Sequence, residues 1–99
     1  MAEEQIKELM QRRIRQILVH SCIYYTYNEN IIPDYVYDTW GNELIELIKA
    51  HPEYLNELEY GKDFRNYVEM ASGFNLPYRE PQILNRAYQL LQLHKTKSR

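Results

Sequence analysis

The sequence predicts an all-α fold, and three observations support that class. Apolar residues recur every three to four positions in three separate segments, the spacing of one buried face of a helix. No segment shows the strict alternation typical of a half-buried strand. Asparagines and prolines separate the segments. We therefore expect a small helical domain built on an antiparallel helical hairpin, with a further C-terminal helix packed on it.

Composition limits the size and class of the protein. The 99 residues are 44% hydrophobic and 26% charged, an ordinary globular balance that predicts one domain. We expect the hairpin over about residues 3–52 and an additional loop and C-terminal helix over about residues 53–95. The net charge of -2 and the pI of about 5.9 make direct binding to nucleic acid the least favoured role.

The cysteine count and the absence of a long apolar run favour a cytoplasmic location. A single cysteine, Cys22, excludes an intrachain disulfide and fits a reducing compartment. No apolar run is long enough to span a bilayer, and the acidic start Met-Ala-Glu-Glu is unlike a signal peptide.

The first predicted helix covers residues 3–26. Arg12, Arg13 and Arg15 lie mainly opposite its apolar stripe, so we interpret them as a solvated face and keep a phosphate-binding patch as the alternative. The stripe consists of Ile6, Met10, Ile14, Ile17, Leu18 and Ser21.

A turn over residues 27–33 and a second helix over residues 34–50 should follow. Asn28 tolerates the backbone angles that a turn requires. Pro33 disfavours helix before it, so we expect Asp34 to be the N-cap of the second helix. The second helix should end before Pro52, and its apolar stripe should place Trp40 in the core.

The second half of the chain is predicted to contain an ordered loop over residues 71–80 and a last helix that opens at Pro81. Phe74 and Leu76 are expected to anchor the loop on the helices. The last helix has an apolar stripe of Ile83, Leu84, Ala87, Leu90 and Leu91.

The candidate site lies in residues 21–40, which hold five of the ten tyrosines. If the first two helices pack as a hairpin, Tyr24 and Tyr25 come back towards Tyr37 and Asp38. Asp34 and Asp38 are four residues apart and can share one helix face. We therefore expect a small cleft with aromatic walls and acidic hydrogen-bond acceptors.

The same stretch resembles a known family. Tyr24-Tyr25, then Asn28, then Ile-Pro-Asp-Tyr-Val-Tyr-Asp over residues 32–38, then His-Pro-Glu over residues 51–53 are similar to the N-terminal Ia domain of bacterial NAD-dependent DNA ligases. The whole chain looks like the small ligase-A-related proteins of bacteriophages and prophages, in which an Ia-like unit stands alone.

The resemblance implies binding of NAD or nicotinamide mononucleotide (NMN). It implies that Tyr24 and Tyr37 form the aromatic walls and that Tyr25 faces the ribose-phosphate. Asp34 and Asp38 would then accept hydrogen bonds. This fits a cationic nicotinamide ring, which is attracted to aromatic faces and to carboxylates.

The departures from the ligases imply that the chain has no catalysis of its own. None of its five lysines is followed by x-Asp-Gly, the motif that contains the ligase nucleophile. Paired carboxylates alone are weak grounds for acid–base catalysis, and the three histidines show no metal-ligand spacing. A Cys22 nucleophile activated by His20 is rejected, since two helical positions separate them.

Two alternatives to a nucleotide site remain open. Tyr24 and Tyr37 can be core residues and nothing more. The hairpin can also be only a scaffold for binding a replication or ligase protein, with Phe74, Tyr78 and Arg79 as exposed anchors.

Overall fold

The computed structural model describes residues 2–67 and 76–97, and within them it is helical with no strand. This confirms the all-α prediction. The long helices are α1 (Glu3–Tyr27), α2 (Asp34–Ala50) and α3 (Pro81–Lys97), and two short 3-10 helices cover Pro52–Glu57 and Gly61–Phe64. Phe74, the predicted loop anchor, lies outside the described residues.

The turn between α1 and α2 starts where the sequence indicates. Asn28 ends α1 in the left-handed region, with φ 52° and ψ 40°. Its backbone N–H and that of Glu29 both donate to the carbonyl of Ile23, which closes the last turn of the helix. Asparagine adopts this conformation at lower cost than most residues.

The prediction that Asp34 caps α2 is wrong. Pro33 is the N-cap, with φ -61° and ψ 148°, and its carbonyl accepts from the backbone N–H groups of Val36 and Tyr37. Asp34 is the first helical residue, and its carboxylate accepts from the Asn30 side chain at 3.1 Å. Its charge still complements the positive end of the helix dipole.

Helix α1 packs against both α2 and α3, so it lies at the centre of the core. Trp40, which we expected in the core, is only partly buried and packs its ring against His20 at 5.2 Å. The most deeply buried side chains of the hairpin are Met10, Ile14, Ile17, Leu18, Cys22, Ile23, Leu44 and Ile48. Ile83, Ala87 and Leu91 of α3 complete this core.

The 3-10 helices are tied to α1 by polar contacts. Lys7 pairs with Glu57 at 2.9 Å, and Gln11 exchanges two hydrogen bonds with the backbone of Glu59. A Cβ on Gly61 would lie 2.0 Å from the carbonyl oxygen of Leu55, so the approach of the two short helices requires glycine there.

One arginine of the predicted solvated face is not solvated. The Arg13 side chain is 16% exposed and pairs with Glu43 of α2 across the hairpin, with 3.3 Å between Nε and Oε2. Arg12 and Arg15 are exposed, as predicted. Arg13 therefore serves the hairpin rather than a ligand.

None of the described helices combines the length and the apolar character needed to cross a bilayer.

Candidate functional site

Four of the five predicted site residues line one cavity beside the turn that joins α1 to α2. Tyr24, Tyr25, Asp34 and Tyr37 all contribute to its wall. We call this cavity, of about 240 Å³, the tyrosine cleft. Its full lining is His20, Ser21, Tyr24, Tyr25, Asn30, Ile32, Asp34 and Tyr37.

The tyrosine pair on α1 lies at the surface of the protein. Tyr24 is 55% exposed and Tyr25 is 40% exposed, although both lie on a helix whose opposite face is fully buried. Their ring centroids are 5.0 Å apart and tilted by 54°. Tyr24 therefore belongs to the accessible surface and not to the core, which removes the core-only interpretation for this residue.

Tyr37 is fixed at the back of the cleft. Its hydroxyl lies 2.8 Å from the Ser21 hydroxyl in a hydrogen bond in which either oxygen can donate. Burial is the main cause that raises the pKa of Tyr37, and the phenol stays protonated at neutral pH. Its ring packs against the core, so Tyr37 combines a structural role with a place in the cleft wall.

Asp34 brings a carboxylate to the cleft. Asn30 donates to its Oδ1 at 3.1 Å, which holds one oxygen and leaves the other free to accept from a ligand. Because Asp34 is exposed, its charge is available at the rim.

Asp38 lies apart from the other four residues. It lines a neighbouring cavity of about 290 Å³, together with Tyr37, Gly41, Asn42, Ile45 and Tyr67. The Tyr37 ring is the wall shared by this cavity and the tyrosine cleft. The two aspartates therefore face different spaces, although they are one helical turn apart.

Several residues of the site were not predicted. His20, Ser21, Asn30 and Ile32 line the cleft, and Tyr78, from the second half of the chain, packs its ring against Tyr25. Helical spacing could have indicated the first two, since they precede Tyr24 by one turn. Nothing in the local sequence indicates Tyr78.

The expectation that Tyr78 is an exposed interface anchor is wrong. Tyr78 is 6% exposed, and its ring lies 5.3 Å from that of Tyr25. Arg79 is exposed beside it, with its guanidinium 5.7 Å from the Tyr78 ring. Tyr78 is thus a support for the tyrosine cleft.

The positions of Asp34, Asp38 and Cys22 argue against the two catalytic alternatives, an acid–base pair and a thiolate nucleophile. Asp34 and Asp38 line separate cavities and do not converge on one reacting atom. Cys22 is fully buried, and desolvation is the main cause that raises its pKa, the opposite of what a thiolate nucleophile needs.

Comparison with known proteins gives one result that agrees with this geometry. The model of the family described as DNA ligase-like, N-terminal NAD+-binding domain matches residues 2–57, more than half of the chain. No curated protein and no solved structure matches the chain significantly. The matched range contains both helices of the hairpin and all five predicted site residues. The chain therefore belongs to the family of DNA ligase-like, N-terminal NAD+-binding domains.

Proposed function

We propose that this protein recognises the nicotinamide mononucleotide half of NAD+ in the tyrosine cleft and has no catalytic activity of its own. The observation that carries this proposal is the convergence of Tyr24, Tyr25, Asp34 and Tyr37 on one cavity, in a chain whose family is NAD+-binding. Asp38 would act only at the edge of the ligand, beyond the Tyr37 ring.

Each part of the cleft suits a part of the ligand. The exposed Tyr24 ring offers its face to the cationic pyridinium ring, a contact that gains from the ring quadrupole. The free oxygen of Asp34 can accept from the carboxamide NH2 group. Tyr25 would lie beside the ribose-phosphate. Because the cleft is open and small, we expect affinity in the micromolar to millimolar range.

The test is a titration of NMN into isotope-labelled protein, followed by amide chemical shifts. We expect shifts centred on residues 20–38 and an affinity several-fold weaker for Tyr24→Ala and for Asp34→Asn. Tyr35→Ala is the matched control, since Tyr35 is 71% exposed and outside the cleft lining. Absence of shifts in this region at millimolar NMN would overturn the proposal.

The oxidation state of the ligand sharpens the test. Reduced NMN has an uncharged ring, so it loses the attraction to the aromatic face and to Asp34. We expect the oxidised form to bind more tightly than the reduced form, and Asp34→Asn to narrow that difference.

The family also suggests a biological setting, which we propose here. A ligase-like NAD+-binding unit without a Lys-x-Asp-Gly motif favours a cytoplasmic accessory role in DNA replication or repair, of the kind that a phage or prophage would encode. Measuring the activity of a bacterial NAD-dependent ligase with and without the protein tests this role, and an unchanged rate at saturating protein would count against it.

A protein-interaction role is the second candidate, and exposed apolar side chains on α3 favour it. Tyr88 and Leu93 are each 53% exposed and line the same open surface. If this surface binds a replication or ligase protein, Tyr88→Gln with Leu93→Gln should abolish the complex and leave NMN binding unchanged. If the double variant still forms the complex, this candidate is removed.

A further inference from the structure

A third cavity lies between α1 and α3 and has a basic rim. Its volume is about 440 Å³, within the range of about 300–1,000 Å³ that is usual for small-molecule pockets. We call it the arginine groove: Arg12 and Arg15 come from α1, Arg86 comes from α3, and the buried side chain of Ile83 contributes an apolar floor. Since α3 lies beyond residue 57, the family match does not account for this groove.

The groove has unneutralised positive charge. Within residues 2–67 and 76–97, neither Arg12 nor Arg86 has a hydrogen-bond or ion-pair partner. Arg15 is paired with Glu59 at 3.0 Å, and Glu59 is the one acidic residue in the lining. Three guanidinium groups against one carboxylate favour an anionic ligand, and a guanidinium is well shaped for a phosphate.

The arginine groove adjoins the tyrosine cleft. His20 lines both cavities. Arg12, Gln16, His20 and Tyr24 are spaced four residues apart and so follow one another along the surface of α1. At 1.5 Å per residue this row covers about 18 Å, which exceeds a mononucleotide and suits an extended dinucleotide.

We propose that the arginine groove binds the adenosine diphosphate half of NAD+ while the nicotinamide half lies in the tyrosine cleft. This inference rests on the proposed function and extends it from a mononucleotide to the whole dinucleotide. Arg12 and Arg86 contact the pyrophosphate from the two sides of the groove, and the apolar floor at Ile83 packs against the adenosine. His20 lies at the junction between the two halves.

The test compares NMN, NAD+ and ADP-ribose by calorimetry on the full chain at low salt. We expect NAD+ to bind at least about fivefold more tightly than NMN, the gain expected from one or two partly exposed charge contacts. That advantage should shrink as salt is raised. Arg12→Gln with Arg86→Gln should abolish the advantage and leave NMN affinity unchanged.

The controls separate the two proposals. Lys62→Gln removes an exposed positive charge outside both cavities and should leave NAD+ and NMN affinities unchanged. Arg86→Glu, on the exposed side of α3, is the second variant and should weaken NAD+ binding more than Arg86→Gln does.

The outcomes are distinguishable. Equal affinities for NAD+ and NMN overturn the extension and leave the nicotinamide site in place. The extension also fails if ADP-ribose binds in the groove but NAD+ binds no more tightly than NMN. The groove is then a separate nucleotide site. Failure of NMN itself to bind overturns the proposed function, and with it this inference.

Discussion

The Tyr78 ring packs against the Tyr25 ring in a tilted arrangement, with the ring centroids 5.3 Å apart and the ring planes inclined by 31°. Tyr25 belongs to the family-matched hairpin, whereas Tyr78 comes from the segment before α3. Tyr78 therefore supports the tyrosine cleft, and within residues 2–67 and 76–97 no residue of the second half lines it. Tyr24 also contacts the Tyr25 ring, and its own ring is accessible.

Truncation of Tyr78 should weaken both the fold and the cleft. Tyr78→Ala removes a ring that is 6% exposed, so we expect a loss of about 3 kcal/mol in the free energy of unfolding. NMN affinity should fall as well, since Tyr25 loses the ring that packs against it. Urea denaturation and NMN titration measure the two effects.

The matched controls for Tyr78 are Tyr35→Ala and Tyr78→Phe. Tyr35 is 71% exposed, and its truncation should change stability by no more than about 0.5 kcal/mol. Tyr78→Phe retains the ring that contacts Tyr25 and should bind NMN like the original protein. An unchanged stability and NMN affinity in Tyr78→Ala would show that this ring contact has no supporting role.

The helix boundaries were predictable because local residues set them. The structure gives α2 the range Asp34–Ala50, as the sequence predicts, since Pro33 and Pro52 bracket it. The choice of N-cap was not predictable from preference alone. The extended backbone of Pro33 already aims its carbonyl at the first turn, so Asp34 is displaced into the helix.

The candidate site was predictable only where helical spacing determines it. Tyr24 and Tyr37 meet because the hairpin is antiparallel and its turn is short. The roles of Tyr67 and Tyr78 depend on contacts with residues far away in the sequence, and no local pattern marks them. The cavity that Asp38 lines is an example, because Tyr67, which is distant in the sequence, forms part of its wall.

Gly41 and Tyr67 should be energetically coupled. A Cβ on Gly41 would lie 2.9 Å from the Tyr67 hydroxyl, and Tyr67 is 3% exposed and cannot move freely. Gly41→Ala alone should therefore bring no gain in stability, despite the better helix propensity of alanine. In a Tyr67→Phe background, we expect the same substitution to stabilise by about 0.5–1 kcal/mol.

The coupling is measured by a double-mutant cycle, in which thermal denaturation gives the stabilities of the original protein, Gly41→Ala, Tyr67→Phe and the double variant. Asn42→Ala, at the next position of α2, is the control for a general effect of alanine and should give the same change in both backgrounds. If Gly41→Ala has equal effects with and without the Tyr67 hydroxyl, the close approach does not limit residue 41.

The hydrogen bond between Ser21 and Tyr37 should contribute to the stability of the hairpin. Ser21 is 1% exposed, and Tyr37→Phe leaves its hydroxyl without this partner, at a cost of about 1–2 kcal/mol. Ser21→Ala should cost less, because the half-buried Tyr37 hydroxyl can turn to water. The double variant should cost less than the sum of the two single changes. Strictly additive losses in urea denaturation would contradict a direct bond between the two hydroxyls.

His20 should make stability depend on pH in the acidic range. Burial lowers the pKa of His20 from 6.5 to about 4, so between these values the unfolded chain binds a proton that the folded chain does not. Stability is therefore complete above pH 6.5 and falls as the pH drops towards 4. Because the ring is only partly buried, we expect the loss to be about 1–2 kcal/mol.

His20→Gln should remove this pH-dependent component. The difference in unfolding free energy between the two proteins should therefore change between pH 6.5 and 4, and parallel pH profiles would refute the assignment. An NMR titration of the His20 ring should give a midpoint near 4, whereas a midpoint at 6.5 would show that the ring is solvated.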